Sequence, residues 1–182
     1  MSSIPQNIAT INAWLIELRS QAGIFTQLDK MRISLFHTIE KAMLNFRRNI
    51  LAKYKGDYGT ASYKAVEAIE REVSNLAYQT QWAPRHNKDN FDTAFRYLEN
   101  YKKELETCSD AKRVARIMED AQYYYKDAVK TITDANTALD TGNTLASQFF
   151  TRLNTVENDL RLAVSARIAD EFPTLGAANR RR

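Results

Sequence analysis

The sequence predicts an all-α protein, an elongated antiparallel helical bundle of long coiled-coil-like helices, and two observations carry that prediction. Apolar residues recur in alternating steps of three and four along most of the chain, the spacing that lines one side of an α-helix. Helix breakers are scarce: five glycines and three prolines serve 182 residues, too few for the many tight turns of an all-β or α/β chain. A hydrophobic fraction of 44% beside a charged fraction of 26% is the balance of a chain that buries its own core. Residues 1–172 are therefore read as one helical bundle domain and 173–182 as a flexible basic C-terminal tail.

The first seam runs Ile4, Ile8, Ile11, Leu15, Leu18, Ala22, Phe25, with Ser3 as its cap and Pro5 tolerated in the first turn, where a helix has no use for the missing N–H. Around Gly23 the register shifts to Leu28, Met31, Leu35, Ile39, Ala42, Phe46, Ile50. Either one helix over 4–54 bends there or two helices meet; because one glycine costs a helix only about 1 kcal/mol, the continuous form is preferred. Gly56 to Thr60 terminates it and caps the next, whose seam is Val66, Ile69, Val73, Leu76, Thr80. A loop is expected over 81–90 around Pro84, with Asp89 or Asn90 capping a helix that carries Phe91, Phe95, Leu98 and Leu105. The register changes again near Cys108, where Ser109 is the candidate cap if the helix breaks. The seam from Ala111 through Val114, Met118, Ala121, Tyr125, Ala128, Ile132 and Ala135 to Leu139 is the most regular in the chain. Gly142 is read as its end, and Asn143 or Thr144 as the cap of a last helix through Phe149, Val156 and Leu160. At 1.5 Å per residue, 4–54 and 91–140 would be rods of about 75 Å, and 60–81 and 144–171 about half that.

Residues 1–16 carry no charge, and the basic flank of a signal peptide is missing, so this segment is read as part of the mature fold. Cys108 is the only cysteine, which excludes an intramolecular disulfide. No stretch has the roughly 18–20 apolar residues of a membrane span. The expected location is the cytoplasm, or a virion assembled in a host cytoplasm.

The chemistry of known helical-bundle sites is not matched. A di-iron centre needs two Glu-x-x-His pairs with further glutamates, whereas only the reversed order occurs, at His37 and Glu40. One cysteine and two histidines fall short of a zinc set. Cys108 reads as a small residue at a helix junction rather than a nucleophile, and the isolated glycines form no phosphate-binding loop. No catalytic residue, metal or cofactor is therefore expected, and the chain is read as no enzyme.

Two surfaces stand out instead. Lys30, Ser34, His37, Lys41, Asn45, Arg48 and Lys55 share one helix face at 100° per residue. Between Lys41 and Lys55, the basic residues Lys41, Arg47, Arg48, Lys53 and Lys55 meet no acidic residue in sequence. This stripe, with Arg180, Arg181 and Arg182, is the candidate contact for an anion or nucleic acid. Residues 1–55 hold eight Lys/Arg against three Asp/Glu, so the basic character is local. The uncharged N-terminal stretch is the candidate protein interface: Trp14 and Ile16 lie off the line of Ile8, Ile11 and Leu15, and an apolar arc that wide must be covered on more than one side. The expected function is a non-enzymatic structural or scaffold subunit that self-associates or docks other protein subunits through helix faces, as in a virion or secretion-type assembly. The alternative is a nucleic-acid-binding coat or packaging protein.

Overall fold

The computed structural model describes residues 3–55 and 61–171, and every regular element in them is helical. The six α-helices are α1 (Ile4–Gln21), α2 (Gly23–Asn45), the single turn α3 (Ala52–Tyr54), α4 (Ala61–Trp82), α5 (Lys88–Thr107) and α6 (Ala111–Glu171), with a π-helical segment, Phe46–Leu51, between α2 and α3. The all-α bundle predicted from the seams is the fold observed. The turn at 56–60 and the tail with Arg180, Arg181 and Arg182 lie outside the described residues.

Local chemistry explains the boundaries. Ser3 closes a capping box on α1: its Oγ accepts from Gln6 N at 3.4 Å, and Gln6 Oε1 accepts from Ser3 N at 2.8 Å. Between α1 and α2 only Ala22 leaves the helical pattern, and its backbone stays right-handed helical at φ −62°, ψ −15°. The junction near Gly23 is thus a one-residue interruption rather than a turn. At Cys108 the chain is extended, φ −88° and ψ 129°, so the rod expected over 91–140 is in fact broken. The cap after the break is Asp110, not Ser109. Asp110 Oδ1 accepts from Lys112 N at 2.9 Å, and its carbonyl accepts from Val114 N at 2.9 Å. A carboxylate beside the free N–H groups of a helix start is favoured over a hydroxyl by the helix dipole.

Two further expectations are corrected. Gly142 does not end a helix: it lies buried within α6, which continues unbroken to Glu171. The cost of about 1 kcal/mol for one helical glycine is outweighed by the seams on either side, where Ala135 is 1% and Phe149 0% exposed. The loop expected over 81–90 is shorter, because α4 runs to Trp82 and α5 begins at Lys88. His86 explains the early start of α5. Its Nδ1 accepts from Lys88 N at 3.2 Å, and its Nε2 lies 3.0 Å from Asp29 Oδ1. A neutral imidazole protonated at Nε2 satisfies both contacts, capping the helix and fastening the loop to α2.

The chain contacts gather into two compact units, Met1–Arg32 with Pro84–Thr141 and Ile33–Ala83 with Gly142–Arg182. In the first, Ile11, Leu18, Phe25, Leu28, Leu98, Ala121, Ala128 and Ile132 form the core, all positions of the sequence seams. Trp14 stacks on Tyr125 at 4.7 Å between centroids, and the Tyr125 hydroxyl donates to Glu17 Oε2 at 2.8 Å. Tyr97 and Tyr124 stack at 4.4 Å. In the second unit Ile39, Phe46, Leu51, Val66, Val73, Phe149, Val156 and Leu160 are the core. Arg152 of α6 is its polar clamp, donating from Nε and Nη2 to Glu72 of α4 at 2.9 and 2.8 Å and also reaching Asp159. Those hydrogen bonds raise an already high guanidinium pKa and hold the charge in place.

The π-helical segment follows from the burial pattern. Phe46 is 0% and Leu51 1% exposed, and residues five apart share a face only when the turn is widened beyond the α spacing. Ile50, expected on the seam, is only half-buried.

Two outcomes are expected. A Cβ added at Gly23 meets nothing within 4 Å, so Gly23→Ala should raise the unfolding free energy in urea by about 0.4–1 kcal/mol; a decrease would show that the junction needs glycine. The phenols of Tyr101 and Tyr124, through burial, and of Tyr125, through its hydrogen bond to Glu17, are raised from the ordinary 10.0. The folded state holds these protons more tightly than the unfolded chain. Their contribution to stability should therefore be complete below pH 10.0 and be lost as pH climbs through the higher folded values. Alkaline titration of the tyrosinate absorbance, native against urea-unfolded, checks the order.

Candidate functional site

In the second unit α2 carries more apolar surface than its core uses. Ile39 and Phe46 are fully buried, with Leu35 and Ala42 packed beside them. Ile33, Phe36 and Leu44 nevertheless stand 56%, 50% and 47% exposed. At 100° per residue these three fall with His37 and Glu40 on one arc of α2, about a third of a turn from the core seam. On α4, Val66, Val73 and Ala77 face inward, while Tyr78 and Trp82 are exposed with rings 6.0 Å apart.

Between the two helices lies an open groove of about 580 Å³. From α2 it is lined by His37, Glu40, Lys41 and Leu44, from the π-helical segment by Arg47, and from α4 by Ala77 and Tyr78. Apolar Met43, Leu44 and Ala77 share its lining with charged Glu40, Lys41 and Arg47 and with polar Ser74 and Gln81. Lys41 and Arg47, and Arg48 beside them, have no carboxylate partner within salt-bridge reach among the described residues, and neither has Glu40 a cationic one. His37 is exposed, its ring 5.7 Å from that of Phe36.

The basic stripe read from sequence is divided by the fold. His37, Lys41 and Arg47 meet in the groove and Arg48 is exposed next to them. Lys30 belongs to the other unit. Lys55 is corrected from an uncompensated cation to an ion pair with Glu70 at 3.3 Å, and Lys53 pairs with Glu157 at 3.5 Å. Sequence proximity shows which charges lie nearby along one helix, and these carboxylates come from α4 and α6. Arg180, Arg181 and Arg182 fall outside the described residues.

The N-terminal surface is largely consumed by its own unit. Ile11 and Leu15 are buried at 0% and 6%, Ile8 packs against that core, and Trp14 is covered on one side by Tyr125. Ile16 alone of the five is widely exposed, at 67%. A second groove of about 420 Å³, lined by Ile4, Asn7, Val114 and Met118, lies beside the start of α1. Leu44 and Tyr78 of the groove, and exposed Ile33, Phe36 and Trp82 on the same two helices, are residues that the sequence reading did not single out.

No group of three or more His, Cys, Asp or Glu side chains able to hold a metal ion occurs among the described residues, and no helix there is long and apolar enough to cross a membrane. Comparison with protein-family models, with curated proteins and with solved structures found no match.

Because Leu44 stands half in solvent, Leu44→Asn should lower the unfolding free energy by only about 1 kcal/mol, the loss of half a leucine's burial and of some helix propensity. A loss of about 2 kcal/mol or more in urea titration, on the order expected for a core leucine, would mean that the side chain holds the fold together.

Proposed function

We propose that this protein is a non-catalytic docking subunit that takes its place in a larger assembly by presenting helix faces, with the α2–α4 face of the second unit as the docking surface. The observation that carries this reading is the coincidence of exposed Leu44 and Tyr78 with Glu40, Lys41 and Arg47, charges without an ion-pair partner among the described residues, around one groove. Burying a whole leucine or phenylalanine side chain gains about 1.5–3 kcal/mol. Apolar side chains left half in water on two adjacent helices thus represent several kcal/mol that a partner recovers. Protein interfaces commonly combine apolar contacts with polar and charged surroundings.

A second reading, binding of nucleic acid, draws support from Lys41, Arg47 and Arg48, which have no carboxylate partner among the described residues and could meet phosphates. It is weakened by Lys53 and Lys55, whose charges are already met by Glu157 and Glu70, and by Glu40 in the groove itself.

A photo-activatable amino acid placed at Leu44, at Tyr78 and, as a control, at exposed Asn154 of α6 separates the two in the native source. The docking reading expects protein adducts at positions 44 and 78 and none at 154. Adducts to nucleic acid, suppressed by raised salt, would turn the conclusion to the second reading. An absence of adducts at 44 and 78 would overturn both.

A further inference from the structure

Among the charges that line the α2–α4 groove, Glu40 and Arg47 form a self-complementary pair with Lys41 beside them, and we infer that the occupant of the groove is the same groove of a second copy of this chain, docked antiparallel. This inference rests on the docking reading above and adds the identity of the partner. Glu40 and Arg47 both line the groove, seven residues apart, with Leu44 between them. Seven residues are close to two helical turns, a rise on the order of 10 Å, and both side chains line the one groove, so the two charges flank Leu44 along it.

A two-fold axis through the midpoint of that span, beside Met43 and Leu44, brings Glu40 of each copy opposite Arg47 of the other. Two symmetric ion pairs then flank an apolar centre, as the isologous contact of a two-fold dimer requires. Leu44 of one copy lies against Met43 and Leu44 of the second, and the exposed Tyr78 ring on α4 closes the flank. Other arrangements are penalised. A parallel pairing sets Glu40 against Glu40 and Arg47 against Arg47, and an antiparallel pairing centred on Glu40 brings the two carboxylates together. Register and direction are thus selected by charge, as flanking charges select them in coiled coils. Neither Glu40 nor Arg47 has an ion-pair partner within its own chain among the described residues, so a second copy supplies what the fold leaves open.

Sedimentation equilibrium of the full chain across micromolar concentrations is the test, with circular dichroism as the check on folding. The native sequence should form a dimer. Glu40→Arg and Arg47→Glu, both at exposed positions, should each weaken it by at least about tenfold. Mixing those two variants should recover the affinity as a heterodimer, because a face with arginine at both positions then meets a face with glutamate at both, and each end regains an opposite pair. The double variant within one chain should also dimerise. A native chain that stays monomeric, a dimer indifferent to both single changes, or a mixture that fails to recover overturns the inference. If the native chain is monomeric while photo-crosslinks at Leu44 reach a different protein, the second copy is excluded and the docking face stands. If neither assay finds protein at the groove, both fail.

Discussion

Each helix here hides one stripe of its circumference, and the requirement that those stripes meet one another governs the rest of the structure. It accounts for a first-unit core of modest residues such as Ala121, Ala128 and Ala135 beside Phe25, since small side chains let helices approach and large ones fill the gaps. It also accounts for where polar chemistry is placed. Arg152 reaches two carboxylates at the edge of its core rather than inside it, where burying the charges would cost more than their attraction returns.

Periodicity made the core legible. Most buried positions of α1, α4, α5 and α6 lie on a seam that can be read by counting threes and fours, because burial is a property of spacing within one helix. Asn7, Ala77 and Ala94 are nevertheless buried off it, and Ile117 takes the place expected of Met118. Boundaries were less legible, as they depend on competition between a local preference and a distant contact. Gly142 is a helix breaker by propensity, yet the flanking seams in α6 are strong enough to carry it through. Leu51 displaces Ile50 from the core because the second unit needs a side chain five residues after Phe46, a demand that arises outside the helix. Asp110 outranks Ser109 as a cap through a bond to Lys112 that depends on how the chain turns at Cys108.

The candidate site was legible by halves. Lys41 and Arg47 were visible as a run of positive charge, while the apolar half of the groove was not. Ile33, Phe36 and Leu44 interrupt the Leu35–Ile39–Ala42–Phe46 seam in the same way that Trp14 and Ile16 interrupt theirs, so the signal was in the sequence. What distinguishes the two stretches is the neighbour. Tyr125 comes from elsewhere in the chain to cover Trp14, whereas α4 brings the exposed Tyr78 to the groove that Leu44 lines. No pattern within a single helix reveals which of these will happen.

The widened turn at Phe46–Leu51 has a bearing on how such a chain tolerates changes in length. A segment that already accommodates one residue more than an α-helical turn is a place where that residue can be gained or lost with the flanking helices kept in step. Related chains that differ by one residue there would keep Phe46 and the preceding seam in place, and the variation would fall on the outward-facing arginines instead of on the interior.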